Sequence, residues 1–244
     1  MSIFRRFVHI LERALPWQLF LAIYGCFANI KNIGNLLIGY GQWRTCFTHR
    51  PTDRRGNPIP WFTYSALEYL EGIDLTEMSV FEFGCGNSTR YWSKRARSVV
   101  AIEDNPSWAD EVRGKLGENA SIVIVQSLAD YAAAIALNRN SYDLIIIDGT
   151  DRLGCARAID GRLRDGGFVI LDDADEHVEA AAVLRAYDLI EVDFAGFSPV
   201  NSYTKTTSFF FHRDFRPKPR RQSLPLHSTC HPKAYLSQLG TDRR

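Results

Sequence analysis

Seven apolar runs, most of them separated by stretches of helical character, constrain this 244-residue chain more than any other feature. SVFEF (79–83), SVVAIE (98–103), SIVIV (121–125), YDLIIID (142–148) and FVILD (168–172) read as strands. Helix-like stretches lie between them: TRYWSKRA, about 106–116, LADYAAAIAL, and about 154–163 before a turn at DGG (165–167). A further helix is expected from Glu176 to Arg185. YDLIIID is apolar almost throughout, as in a strand buried on both faces. Strands alternating with helices predict a parallel sheet covered on both sides. The last two runs, DLIEVDF (188–194) and TSFFFHR (207–213), have no helix between them. That predicts antiparallel neighbours, because a parallel connection needs a long crossover.

The first strand leads into VFEFGCGNST (80–89), with an acid, two glycines and a helix start. Glycines there let the backbone turn tightly and approach a ligand closely. A dinucleotide site wants a third glycine where this chain has Thr89. A nucleoside without a pyrophosphate does not. Glu103, 17 residues after Gly86, ends the second strand, where a carboxylate can accept from both ribose hydroxyls.

In this order the residues resemble the class I methyltransferase family. The match runs over about 79–213: E-x-G-x-G at Glu82–Gly86, the acid Glu103, QSLAD (126–130), IIIDG (145–149), LRDGGFVILDD (163–173) and the antiparallel terminal pair. The resemblance implies an α/β, Rossmann-like doubly wound fold. Its seven-stranded sheet is mostly parallel with an antiparallel last strand, here preceded by an N-terminal helical extension. It also implies S-adenosylmethionine as cofactor, with Glu82, Gly84, Gly86, Asn87 and Ser88 along its methionine part. Glu103 would hold the ribose, and Ser127 and Leu128 would flank the adenine. Asp104 is either a second polar contact or a solvated turn residue, and Trp61 and Tyr64 either close over the site or belong to the core.

Asp148 ends the fourth strand and Asp172 and Asp173 the fifth, so three carboxylates should converge on the rim where open α/β sheets bind ligands. This resembles the metal-dependent small-molecule O-methyltransferases, the sugar-modifying ones included. It implies Mg2+ on Asp148, Asp172 and Asp173, a set of hard oxygen ligands. The helix between those strands is about a turn shorter than in that group, and the competing reading is a set of solvated, capping or cofactor-contacting carboxylates. Asp148 and His177 are the candidate catalytic residues, His177 alternatively being an exposed residue of a first helical turn. Arg152 and Asp173 are the substrate-binding candidates, unless Arg152 merely pairs with Asp151. The expected activity is O-methylation of a small-molecule or glycan hydroxyl. An aminopropyl transferase of the same fold and a non-catalytic binding module are the alternatives. No Asn-Pro-Pro-Tyr run follows the fourth strand, so no specific nucleic-acid partner is expected.

TDRRGNPIP (52–60) reads as a boundary loop. It divides a helical extension (1–55) from a methyltransferase domain (56–213), which a basic, flexible tail (214–244) follows. Residues 1–55 and 213–244 each carry eight Lys/Arg against two acids, while residues 56–212 carry 13 against 24. Ala14–Ile30 is mostly apolar and only 17 residues long, with Gln18 and Asn29 inside, at the lower limit for a membrane span. It is expected either to lie on a membrane surface through residues 1–40 or to pack on the domain. Five scattered cysteines without a metal-like spacing fit a reducing compartment, so the expected location is the cytoplasm or the inner face of a membrane.

Overall fold

The computed structural model describes residues 8, 10, 12–137, 141–221 and 225–231. Seven strands form one sheet: β1 (Ser79–Phe83), β2 (Ser98–Glu103), β3 (Ala120–Ile124), β4 (Tyr142–Ile147), β5 (Leu163–Leu171), β6 (Ile190–Phe197) and β7 (Thr204–Phe211). Their order is β3-β2-β1-β4-β5-β7-β6. β7 is antiparallel to both neighbours, and β1 to β5 are mutually parallel, as expected of a doubly wound fold with an antiparallel last strand.

Successive strand residues point to opposite faces, which splits the core in two. Phe81, Phe83, Ile145, Ile147, Val169, Leu171 and Phe210 face one layer of helices. That layer contains α7 (Arg152–Ala158) and α8 (Val178–Ala186). Val80, Leu144, Ile146, Phe168, Ile170, Phe209 and Phe211 face the other, where α3 (Tyr64–Gly72) and α4 (Asn87–Ser93) lie. The chain enters α3 through Thr63, whose hydroxyl accepts from the Ala66 amide. Between β2 and β3, α5 (Pro106–Arg113) starts on an Asn105 cap with proline at its first turn, both favourable there.

Three elements depart from the periodicity. LADYAAAIAL is not one helix: α6 (Leu128–Tyr131) is a single turn that tightens into a 3-10 stretch over Ala132–Leu137. The helix expected to reach 163 stops at Ala158, because Gly161 takes φ +64° and Leu163 already pairs with Tyr142. The DGG turn therefore lies inside β5 as a bulge. Pairing skips from Tyr142–Leu163 to Leu144–Phe168, with Gly166 at φ +75° absorbing the extra residues.

The N-terminal region comprises α1 (Trp17–Gly34), a π-helical turn (Asn35–Gly39) and α2 (Gln42–Thr48). α2 is tied to the β6–β7 loop: Gln42 donates to the Asn201 carbonyl at 2.8 Å and Thr45 accepts from the Val200 amide at 2.8 Å. α1 buries only Phe20. The described part of the C-terminal segment is held rather than loose. The Arg220 amide donates to Gly72, the Asp74 amide donates to Lys218, and the Thr229 amide reaches Glu68. The outer ends on which the extension and tail readings also rest (1–7, 9, 11, 222–224 and 232–244) lie outside the described residues.

Candidate active site

The carboxyl ends of β1, β2, β4 and β5 meet at one rim. The Gly84 amide donates to the Ile102 carbonyl, the Asp148 amide to Phe83 and the Asp172 amide to Ile147, so each chain turns off the sheet beside its neighbour. Gly84 makes its turn at φ +94°, and a Cβ there would lie 3.2 Å from the Asp148 carbonyl oxygen. Only glycine fits that angle and that approach.

A cavity of about 220 Å³ opens at this rim. Of the residues expected at the site, Glu82, Gly84, Ser88, Glu103, Asp104 and Asp148 line it. Gly86, Asn87, Ser127, Leu128, Arg152, Asp172, Asp173 and His177 do not. Asn87 turns away, donating to the Pro51 carbonyl at 2.8 Å and accepting from Arg90. Ser127 caps α6, and Leu128 is well exposed beside it. Tyr64 belongs to the core: it packs 4.6 Å from Tyr40 and donates to Gln42.

Glu82 lies on the α4 face of β1 with 1 % exposure. Its carboxylate accepts from Thr89 Oγ1 at 2.5 Å and Trp92 Nε1 at 3.1 Å, and the Gly86 amide donates back to Thr89 Oγ1. One acid thus braces both the glycine loop and α4. Burial pushes its carboxyl up to about 7, against the hydroxyls of Ser88 and Thr89 and the Trp92 indole, which hold it down.

Glu103 is equally secured. Its two oxygens accept from the amides of Cys85, at 3.1 Å, and Asn105, at 3.0 Å. Burial raises it above the usual carboxylate range. Asp104, exposed at the bend after β2, accepts from Thr150 Oγ1 at 2.8 Å. Tyr131, Cys85, Gly149 and Thr150 complete the lining, and burial pushes the phenol and the thiol well up, so both stay protonated. Periodicity placed Tyr131 on a helix without saying that the helix breaks just there to bring its side chain to the rim.

The three rim aspartates do converge: one carboxylate oxygen from each lies within 4.8 Å of those from the other two. Two cationic side chains lie among them. Arg152 Nη2 donates to Asp148 Oδ1 at 3.0 Å and to Asp173 Oδ2 at 3.2 Å. Lys205 Nζ pairs with Asp172 Oδ2 and, at 2.9 Å, with Asp173 Oδ1. Thr207 Oγ1 donates to Asp172 Oδ1 at 2.7 Å. Arg152 therefore binds the rim acids, not Asp151, whose carboxylate caps α7 through the Gly154 amide. Burial pushes Asp148 up to about 6, opposed by Arg152 and Lys205. Burial also works against the charge of Lys205, but Asp172 and then Asp173 hold its ammonium above the ordinary range. His177 stands just before α8, half-buried, its imidazole pushed down by burial and by Arg152.

Residues 81–174 match the family described as methyltransferase domain. Among curated proteins none matches. Three solved structures are similar in outline. Precorrin-6y C5,15-methyltransferase from Geobacter metallireducens is 15% identical over 61% of this chain and 87% of its own, with a TM-score of 0.49. The O-methyltransferase from Bacillus cereus, in complex with SAH, is 16% identical over 61% and 78%, at 0.46. An rRNA methylase from Streptococcus thermophilus is 15% identical over 61% and 94%, at 0.44. Residues 81–174 thus carry a methyltransferase domain, and the sheet order, the glycine turn after β1 and the acid that ends β2 are features expected of one that uses S-adenosylmethionine.

Proposed function

We propose that the protein methylates a hydroxyl group of a small molecule or glycan, with Asp148 as the proton acceptor. The observation that carries this reading is that Asp148 lines the same cavity as Glu82, Gly84 and Glu103. When bound, S-adenosylmethionine supplies a methyl group on a sulfonium, an electrophile that needs no covalent enzyme intermediate. The residues fit that ligand. Glu103 spends one lone pair of each oxygen on the loop amides and keeps the others for ribose hydroxyls. Neither φ nor its neighbours require glycine at Gly86, where a Cβ would meet only Trp108 at 3.8 Å. A ligand lying against the loop gives that position a reason. The acidic lining favours a cation over a phosphate.

At the acceptor side, Arg152 fixes Asp148 through Oδ1. No described residue donates to Oδ2, which is left to hold the proton of an acceptor hydroxyl. A carboxyl at about 6 is a better base than an ordinary aspartate and is still ionised near neutrality. Arg152 also offers an anionic acceptor a partner, and Asp173 a neutral one. The test is calorimetry of the full chain with S-adenosylhomocysteine, followed by turnover with hydroxylated acceptors read by mass. Tight binding and a product heavier by one methyl group support the reading. An aminopropyl adduct, or no binding of the nucleoside, overturns it.

We further propose that residues 1–40 lie on an anionic membrane surface, placing the domain at the inner face. Trp17–Gly39 is long and apolar enough to cross a membrane. Trp17, Leu21, Tyr24, Phe27, Ile30 and Ile33 are exposed on several sides of α1. Co-sedimentation with phosphatidylglycerol vesicles but not with phosphatidylcholine ones is the expected result, and recovery in the supernatant with both overturns it.

A further inference from the structure

The rim aspartates form a cluster that three hard-oxygen ligands of a divalent ion would also form, and the residues around it do not fit such an ion. We infer that Lys205 and Arg152 take the place of a divalent cation at Asp148, Asp172 and Asp173, so that this site carries its own positive charge and competes metal out. The inference deepens the reading of this rim as the acceptor side and depends on it only for its catalytic consequence, a transfer that needs no metal.

The charges match first. Two monovalent side chains supply what one Mg2+ would, and they supply it to the same three carboxylates. The oxygens are also spoken for. Asp172 gives one to Lys205 and one to Thr207, Asp173 gives one each to Lys205 and Arg152, and Asp148 gives Oδ1 to Arg152. An ion would need these oxygens at about 2.0–2.6 Å, within the space that the ammonium already fills.

Lys205 is not a surface residue that has strayed inward. It is 6 % exposed, fixed on β7, and two residues before Thr207 on the same face of the strand. Thr207 Oγ1 accepts from the Thr63 amide at 3.1 Å, which turns its own proton toward Asp172. Asp172 therefore accepts from two donors, one at each oxygen.

The test is Mn2+ binding to the full chain, read by the manganese EPR signal with Mg2+ as competitor, together with melting in Mn2+ and in EDTA. Wild-type protein is expected to show no manganese binding that depends on Asp172, and a melting temperature indifferent to both additions. Lys205→Met is expected to bind one Mn2+ at least about tenfold more tightly than wild type, to gain melting temperature on adding it, and to lose both responses when Asp172→Asn is added. Arg152→Gln, at a more accessible position, carries the same expectation if Lys205→Met does not fold. Manganese on wild type that Asp172→Asn abolishes overturns the inference, and so does a folded lysine or arginine variant with no gain. These readouts use no turnover, so failure of wild type to bind S-adenosylhomocysteine would sink the methyltransferase reading without touching this one.

Discussion

The helices around the sheet and the helix that opens the chain are both rich in apolar residues, yet they spend them differently. α3 has nine residues and buries Tyr64, Ala66, Leu67, Leu70 and Gly72 against the sheet. α1 has 18 and buries Phe20. One apolar stripe is what a globular core asks of a helix, whereas a helix apolar on every side needs an apolar medium or a partner. The charged residues show the converse. Lys205, Asp172 and Glu82 are almost fully buried in the sheet domain, each with close partners, while Lys31 of α1 is exposed. The domain takes these charged groups inside and pairs them, and the extension leaves apolar groups outside.

That contrast can be broken at either end. Asp148→Asn keeps the shape and removes the proton acceptor, so turnover should fall by about 10²–10⁴. Affinity for S-adenosylhomocysteine, read by calorimetry, should hardly change. Equal loss of both would mean that Asp148 binds the cofactor rather than the acceptor's proton. Glu82 gives the next largest effect, and the sign follows from its raised carboxyl. The folded protein holds a proton that the unfolded chain has released between about 4.5 and 7, so its contribution to stability is present at low pH and falls as pH rises through about 7. The loss is on the order of 3 kcal/mol. Glu82→Gln should remove that component, so the stability gap between variant and wild type should widen in the variant's favour from pH 5 to pH 8 in urea titrations. A constant gap would show that Glu82 is ionised throughout.

Glu103→Ala should weaken S-adenosylhomocysteine by about ten- to a hundredfold, the equivalent of about 1.5–3 kcal/mol for charged hydrogen bonds. The smallest effect on the fold should come from α1. Leu21→Glu with Phe27→Glu should move stability by no more than about 0.5 kcal/mol while abolishing sedimentation with anionic vesicles. A large destabilisation would mean that α1 packs on the protein after all.

Much of this was legible in local pattern. The five parallel strands follow from apolar runs alone, and the antiparallel ending from the missing helix between DLIEVDF and TSFFFHR. Glu82, Gly84, Glu103 and Asp148 are readable because each sits at a fixed place relative to a strand end. What was hidden depends on register and on long-range partners. Lys205 is 33 residues from Asp172, in the stretch between DLIEVDF and TSFFFHR. It reaches the rim because β7 slots between β5 and β6 with Leu171 opposite Ser208. The one available hint was the alternation of Lys205 and Thr207 beside a strand that ends in two aspartates. The bulge at Gly166 was hidden for the same reason, since DGG is a turn by composition and becomes part of β5 only when β4 pairs with it.

The position of β7 has a consequence for how the protein is made. The ribosome delivers Asp148, Asp172 and Asp173 well before Lys205, and the strand that carries Lys205 sits inside the sheet, not at its border. A nascent chain stopped short of β7 has three acids at one strand edge with Arg152 alone to neutralise them, and β6 has no neighbour to pair with. Arrival of a single late strand therefore closes the sheet and settles its electrostatics in one step, and until then the half-finished domain is self-repelling at that rim.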